Sequence, residues 1–574
     1  MTVQGSDVIP RPWVDHYPSG IPWDIAVDTT PVHEQVLKSC ARTPDAPALD
    51  FLGAVTTYGE LGRSITAFAA ALQRDFGVNK GTRVALMLPN TPFYVIAYYG
   101  VLLAGGTVVN CNPLYTVSEL KHIVGNSGAK LMVSLDLKQV FGKAEALLGA
   151  GLLDNLVVCR FATALPFPKN LLFRIARRDD IARISQSPQR RKITFFGPLV
   201  RRGGRPEPVA IDPLTDVAVQ QYTGGTTGKP KGAMLSHANI AANLAQIDAW
   251  ALGLFKPPSK VVAVLPFFHI FSMTACMNLP LTQGAQTVML PRFELKALLD
   301  LIGRTKANIL LAVPTLLHAL INAKQGSDNL KYLELAISGG AGLPGELLDA
   351  FKKRFPARLV EGYGLTEASP VVCCAAVEVE AKPNSIGQPL PATDLRFADL
   401  DDPTRVVPLG ERGELLVKGP QVMLGYHGDE EATNAAFIDG YLRTGDVGYM
   451  DSDGYVFLVD RIKDLIICSG FNVYPRVIED AFYLHEAVEE VSVIGVPDSY
   501  RGEAPVAFVK LRAGMAATPQ ELRDFAAERL NRLELPREII LKDQLPKTLI
   551  GKLSKKELRE EYAARRAAAK AEAP

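Results

Sequence analysis

Tyr222-Thr223-Gly224-Gly225-Thr226-Thr227-Gly228-Lys229-Pro230-Lys231-Gly232 is the stretch from which the rest of the chain can be read. It follows an apolar, strand-like run at 216–221 and precedes a helix-like run that begins near Ser236. Four glycines let the backbone turn where a side chain would clash, so that successive N–H groups can converge. Three threonine hydroxyls and two lysines sit among them, a density of donors and positive charge that suits a polyphosphate. The spacing is not that of the common P-loop, which needs Gly, four residues, then Gly-Lys-Ser/Thr. Thr223 stands where its first glycine belongs and Pro230 where its hydroxyl belongs. A Gly/Thr surface turn is the plain alternative; glycines, paired threonines and Pro-Lys-Gly together favour the phosphate reading.

On either side, short apolar runs alternate with helical spacing. Strand-like runs fall at 83–89, 130–134, 155–159, 261–266, 308–314 and 332–337; helical spacing falls at 31–41, 58–74 and 295–302. Such alternation predicts an α/β chain of largely parallel sheets covered by helices. The longest apolar run, residues 93–109, is broken by Gly100, Gly105 and Gly106 and is shorter than the roughly 20 residues of a membrane span. It reads as a buried helix followed by a strand. Residues 1–30 read as an extended arm packed on the domain. Composition changes near 460–464; beyond it, strand-like 491–496 and 505–510 and a helix over 519–530 make a small α+β domain of about 110 residues. Residues 555–574 read as a helix and tail.

The chain has 574 residues, 48% of them hydrophobic and 21% charged, with net charge +1, which argues against a dedicated nucleic-acid binder. Its seven cysteines form no Cys-x-x-Cys pair, so neither a zinc site nor a disulfide framework is expected, and a reducing, cytoplasmic setting fits. The N-terminus lacks the basic start and apolar core of a secretory signal. Residues 166–205 stand apart: eleven Lys and Arg against Asp179 and Asp180, a local charge of +9, interleaved with apolar residues such as Leu171, Leu172 and Phe173. A basic amphipathic insert suits the inner face of an anionic membrane; a solvated loop is equally open. On the membrane reading, deleting 166–205 releases the protein and leaves turnover of soluble substrates intact.

The glycine-rich stretch resembles the phosphate loop of the adenylate-forming enzymes, Tyr-Thr-Gly-Gly-Thr-Thr-Gly-x-x-Lys-Gly, a superfamily that includes acyl-CoA synthetases, luciferases and peptide-synthetase adenylation domains. Gly224, where many members carry serine, resembles the bacterial long-chain fatty acid–CoA ligases. The resemblance runs from about residue 30 to about residue 560. It implies an N-terminal adenylation domain over 1–462 and a mobile C-terminal lid over 463–574, with Lys463 at the hinge. It implies that Thr223, Gly224, Gly225, Thr226, Thr227, Gly228 and Lys231 meet the phosphates of ATP.

Glu361-Gly362-Tyr363-Gly364-Leu365-Thr366-Glu367 is similar to the superfamily's Tyr-Gly-x-Thr-Glu motif, which implies nucleotide contact along it, a phosphate contact at Thr366 and Mg²⁺ at Glu367 and Thr223. Gly340 and Ala341 would flank the adenine. Asp446 and Arg461 resemble the pair that holds the ribose hydroxyls; alone they would read as a salt-linked surface loop. His269, a lone histidine in the apolar run 266–271, is by itself a hydrogen-bonded core residue or, by the resemblance, the wall between acyl tunnel and ATP site. It need not act as a base, because a carboxylate substrate is already ionised near neutral pH. Lys552, last in Pro546-Lys547-Thr548-Leu549-Ile550-Gly551-Lys552, matches the lysine that meets the acyl oxygen and the α-phosphate bridge. Ser469, Gly470 and Phe471 would line the coenzyme A entrance after the lid turns.

The function so implied is that of a long-chain fatty acid–CoA ligase: a long- or medium-chain acid reacts with ATP to acyl-AMP and pyrophosphate, and coenzyme A then displaces AMP. Aryl- or dicarboxylate-CoA ligases and an acyl-AMP ligase that loads a carrier protein are the enzyme alternatives. A membrane-bound scaffold or lipid-binding protein without catalysis is the alternative from another class. A homodimer is left open.

Overall fold

The computed structural model describes residues 11–223, 230–380, 382–469, 471–498, 500–548 and 553–571. Two large sheets carry most of the chain. In the first, Val217–Thr223, Thr107–Asn110, Arg83–Leu86, Leu131–Leu135, Asn155–Cys159 and Ile193–Phe195 run parallel in that spatial order. Lys231–Ser236 and Gly425–Tyr426 extend it antiparallel beyond Val217–Thr223. In the second, Pro47–Phe51, Gln286–Met289, Lys260–Ala263, Ile309–Ala312, Leu335–Gly339 and Arg358–Gly364 are parallel, again with antiparallel edges. Each predicted strand is present with its ends within three residues, because runs of Val, Ile and Leu buried on both faces suit parallel strands and little else.

One core lies between the two sheets. Pro92–Leu103 is apolar all round and sits in it with ten of its residues buried, as a helix without a polar face must. Tyr58–Phe76 covers it, started by a Thr57–Glu60 capping box and ended by Gly77 at φ 65°. The arm is not wholly extended. It forms one helical turn, Pro12–Asp15, that buries Trp13 against Gly454, where even a methyl would collide with the Trp13 backbone.

A five-stranded sheet built around Gly413–Lys418 and Tyr441–Met450, largely antiparallel, stands beside the two large ones and was not anticipated from the sequence. Its longest strand, Tyr441–Met450, is interrupted by Gly445, Asp446 and Gly448, so no period stood out. Beyond residue 465 a separate core forms around the hairpin Val488–Asp498/Gly502–Leu511 and the helices Pro475–Tyr483 and Pro519–Ala527, with Lys555–Ala571 packed behind.

The basic segment is not one loop. Residues 166–192 form short helices on the surface; Lys169–Ala176 buries none of its side chains. Ile193–Phe195 then becomes the edge strand of the first sheet, and Phe196 packs on Phe68 and Phe93 with ring centroids 4.7 and 5.4 Å away. Deleting the whole of 166–205 would therefore remove core as well as charge, and the expectation that turnover survives it is corrected; the earlier part is tied in too, with Ile184 buried in a second core cluster and Phe173 packed on Phe161 at 5.1 Å between ring centroids.

Candidate active site

The parallel strands of both sheets end on one cleft of about 2250 Å³, the place where open α/β sheets collect ligands. Thr223 closes one strand and Lys231 opens its antiparallel partner directly opposite. The loop they frame, with Gly224, Gly225, Thr226, Thr227 and Gly228, lies outside the described residues, as do Gly470 and Lys552. Thr223 and Lys231 both line the cleft. The Lys231 ammonium stands 5.3 Å from the ring centroid of Tyr426, and the Tyr426 hydroxyl donates to Glu367 Oε1 at 2.8 Å. Tyr426 thus ties the phosphate-loop lysine to the carboxylate of the second motif, a role with no signal in the sequence because Tyr426 comes from the edge strand Gly425–Tyr426.

Gly340, Ala341, Glu361, Gly362, Tyr363, Gly364 and Thr366 line the facing wall, at and beyond the ends of Leu335–Gly339 and Arg358–Gly364. Gly364 is required for a reason other than nucleotide approach: a methyl there would lie 2.0 Å from the Pro370 carbonyl oxygen. Glu361 accepts from the Leu343 N–H at 2.9 Å, and burial pushes its carboxyl up to about 7 despite that bond and the Arg476 guanidinium nearby.

Asp446 and Arg461 are cross-strand partners, with Arg461 Nε donating to Asp446 Oδ1 at 2.8 Å and the Tyr363 hydroxyl donating to Oδ2 at 2.5 Å. Asp446 is 4% exposed, while Arg461 reaches it from a half-exposed position on the neighbouring strand. Its turn is set by buried Glu414, which takes Arg443 Nη2 at 2.7 Å and the N–H of Gly445, itself at φ 70°.

His269 caps the turn Ile270–Ser272, its Nδ1 accepting from Phe271 N at 3.4 Å, and lines the cleft. Asn90 positions the approach: its amide donates to the carbonyls of Ala263 and Leu265 at 3.1 and 2.8 Å, and its oxygen accepts from Phe267 N at 2.7 Å. Gln221 does the same from the first sheet, donating to Phe268 O at 2.9 Å while accepting from Asn110 at 2.8 Å. Neither Asn90 nor Gln221 was legible beforehand; both work through partners far away in sequence.

From the C-terminal part, Thr548, Leu553 and Ser554 reach the cleft. A bridge between Lys547 and Leu553 brackets the loop that holds Lys552. Lys463, exposed on the turn Ile462–Asp464, lines the mouth of the cleft; partial desolvation by the cleft walls, and then the Arg461 charge, bring its ammonium down to about 8. Ser469 and Phe471 are not brought to the cleft; Phe471 is 64% exposed on the outer face of its hairpin. Arg476 crosses from the helix Pro475–Tyr483 to lie against Gly342, so closely that a methyl on Gly342 would fall on the guanidinium. All seven cysteines are unpaired, and the described residues hold no cluster of three or more His, Cys, Asp or Glu that could hold a metal.

Comparison with known proteins places this fold in a family. Residues 36–427 match the model of the AMP-binding enzymes and residues 477–552 that of the AMP-binding enzyme C-terminal domain, and the chain belongs to this family. It is 40% identical over 553 residues to the long-chain-fatty-acid–CoA ligase of Bacillus subtilis, covering 96% of this chain and 98% of that one. It is 37% identical over 561 residues to the enzyme of the same name from Salmonella typhimurium, again covering 96% and 98%. Among solved structures, ATP-bound MatB from Rhodopseudomonas palustris superimposes with a TM-score of 0.80 at 27% identity, covering 92% of this chain and 98% of that one.

Proposed function

We propose that the chain is an AMP-forming long-chain fatty acid–CoA ligase. The observation that carries this reading is convergence: phosphate-loop strands, Asp446–Arg461 pair, His269 wall and the flanks of the Lys552 loop all meet on one cleft whose far part is lined by Ile247, Trp250 and Phe255. In the first step a carboxylate oxygen bonds to the α-phosphorus of ATP and the bond to pyrophosphate breaks. In the second, the thiol of coenzyme A loses its proton to solvent, its sulfur bonds to the acyl carbon, and AMP leaves.

Lys231 and Thr223 flank the phosphate loop and offer charge and a hydroxyl to the triphosphate. Each oxygen of Asp446 already accepts one bond and has a lone pair left for a ribose hydroxyl. His269, which follows Phe267 and Phe268 held by Asn90 and Gln221, holds the wall between acid and nucleotide in place. Glu367 and Thr223 would hold Mg²⁺. Among the described residues Glu367 belongs to no cluster of three or more acids, histidines or cysteines, which fits an ion that takes most of its oxygens from phosphate and water, and the bound ion would neutralise phosphate charge. The chain divides at 462/463, and the lid then turns to bring Ser469, Gly470 and Phe471 to a coenzyme A entrance.

The test is pyrophosphate release that requires both ATP and acid, followed by thioester formation with free coenzyme A against a carrier protein, across saturated, aromatic and dicarboxylic acids. Long or medium chains should give the highest kcat/KM; a preference for benzoate-like or short acids overturns the fatty acid assignment.

Peripheral membrane contact is a second reading carried by its own observation. Around the surface helix Lys169–Ala176, Phe167, Leu171, Leu172 and Ile175 are all more than half exposed, ringed by basic residues of 166–192. Among the described residues no helix is long and apolar enough to cross a membrane.

A further inference from the structure

Pleated strands put alternate residues on one face, and three neighbouring strands of the second sheet use that rule to build a gutter. Gly339, Ile337 and Leu335 line the cleft in turn. Beside them Val313 and Leu311 line it, and Ile309 lines a second cavity of about 210 Å³. On the third strand Gly364, Gly362 and Val360 line the cleft and Arg358 lines the second cavity. The two spaces are therefore successive parts of one face, followed from the carboxyl ends of the strands, where the chemistry sits, to their amino ends. Six residues of strand from Gly364 to Arg358 span roughly 20 Å.

Four residues border both spaces, and Trp250 is the largest of them. It is the last residue of the helix His237–Trp250, is 3% exposed, and borders both cavities together with Ala251, Leu335 and Val377. Its indole is fixed from two sides. Nε1 donates to the Ala375 carbonyl at 3.4 Å, and Tyr17 of the N-terminal arm meets the ring edge-on at 5.2 Å between centroids. Tyr17 is itself anchored by donating its hydroxyl to Pro389 O. The arm also supplies Pro18 and Ile21 to the wall of the far cavity, whose rim carries Glu334, Arg358 and Glu378.

We propose that Trp250, braced by Tyr17, is the residue that ends the acyl tunnel and so sets the longest acid accepted, with the cavity behind it as unused tunnel. The N-terminal arm is then part of the specificity apparatus. This rests on the acyl-CoA ligase reading. Replacing the indole opens the gutter into about 210 Å³ more apolar-walled space, while the ATP subsite is untouched.

The experiment measures kcat/KM for laurate, palmitate, arachidate and behenate with the wild type, Trp250→Ala, Trp250→Phe and the double variant Trp250→Ala/Ala376→Phe. Ala376 borders the far cavity and not the main cleft. The behenate-to-laurate ratio should rise about tenfold or more in Trp250→Ala, given what one or two methylenes in an apolar pocket are worth. It should rise less in Trp250→Phe and fall back in the double variant, with KM for ATP unchanged throughout. A wild type active on fatty acids whose variants shift all acids equally overturns the wall and leaves the ligase reading standing. A gain that persists in the double variant also overturns it, because the tail then goes elsewhere. A wild type inactive on every acid sinks both readings. Trp250→Phe keeps most of the packing and decides the question if Trp250→Ala does not fold.

Discussion

At the scale of single residues, charge placed for one step should be removable without harming the other. Lys552 matches the lysine that meets the leaving phosphate, and preorganised contacts of that kind are worth about 10²–10³ in rate. Lys552→Ala should lower acyl-AMP formation by that order, yet still make acyl-CoA from supplied acyl-AMP. Equal losses in both half-reactions, measured by quench-flow, would show that Lys552 serves both. Buried histidines make a different prediction. His33 and His237 face each other at 5.5 Å between ring centroids, each with Nδ1 unpaired among the described residues. Burial lowers His33 to about 3, helped by His237, and lowers His237 to about 4 against the pull of Asp216. A depressed folded pKa gives stability that is complete above the unfolded value, about 6.5, and is lost as pH falls towards the folded one. Each histidine should contribute a slope of about 1.4 kcal/mol per pH unit between roughly pH 6 and 4. In urea titrations His33→Gln should flatten the wild-type slope by about that amount; an unchanged slope would mean the pair is hydrated or charged in the fold.

At the scale of elements, the surface helix Lys169–Ala176 presents exposed apolar side chains among basic ones, a combination that partitions to anionic interfaces. Replacing Phe167, Leu171, Leu172 and Ile175 by serine together should abolish binding to phosphatidylglycerol vesicles. In the wild type that binding should weaken with added salt, because the basic part of the attraction is screened. Tm should hardly move, since those side chains are exposed. Retained vesicle binding in the quadruple variant would locate the contact elsewhere or remove it.

At the scale of the whole molecule, the two parts of the chain are joined at a turn and latched across the cleft. Arg476 lies against Gly342, Arg512 stands 3.9 Å from Glu346, and Lys463 occupies the turn between the parts. If the lid must rotate between half-reactions, Lys463→Pro should spare adenylation and depress thioester formation, because proline fixes φ near −65° where a hinge has to change it. The exposed setting of Lys463 makes a stability loss above about 1 kcal/mol unexpected. Arg476→Ala should act the other way, freeing the lid from this arrangement and lowering adenylation more than thioester formation. Parallel losses in both variants would mean that no rotation links the two steps.

The sequence by itself determined what depends on near neighbours. Buried parallel strands were legible because Val, Ile and Leu runs such as 261–266 fit little else, and the phosphate corner because its glycines and threonines are adjacent in the chain. Asp446 and Arg461 were named as a pair from their motifs. Only the tertiary structure decided how such groups are held. Asn90, Gln221 and Tyr426 act through partners on other sheets, so their polar side chains carry no local pattern. The basic segment divided at residue 193 because an edge strand is defined by what it pairs with. Trp250 and Tyr17 are distant in sequence and meet only when the arm closes the foot of the second sheet. Local spacing fixes which residues can form a strand, a turn or a loop; the shape of a tunnel is the difference between packed surfaces brought together from the whole chain, and no short stretch contains it.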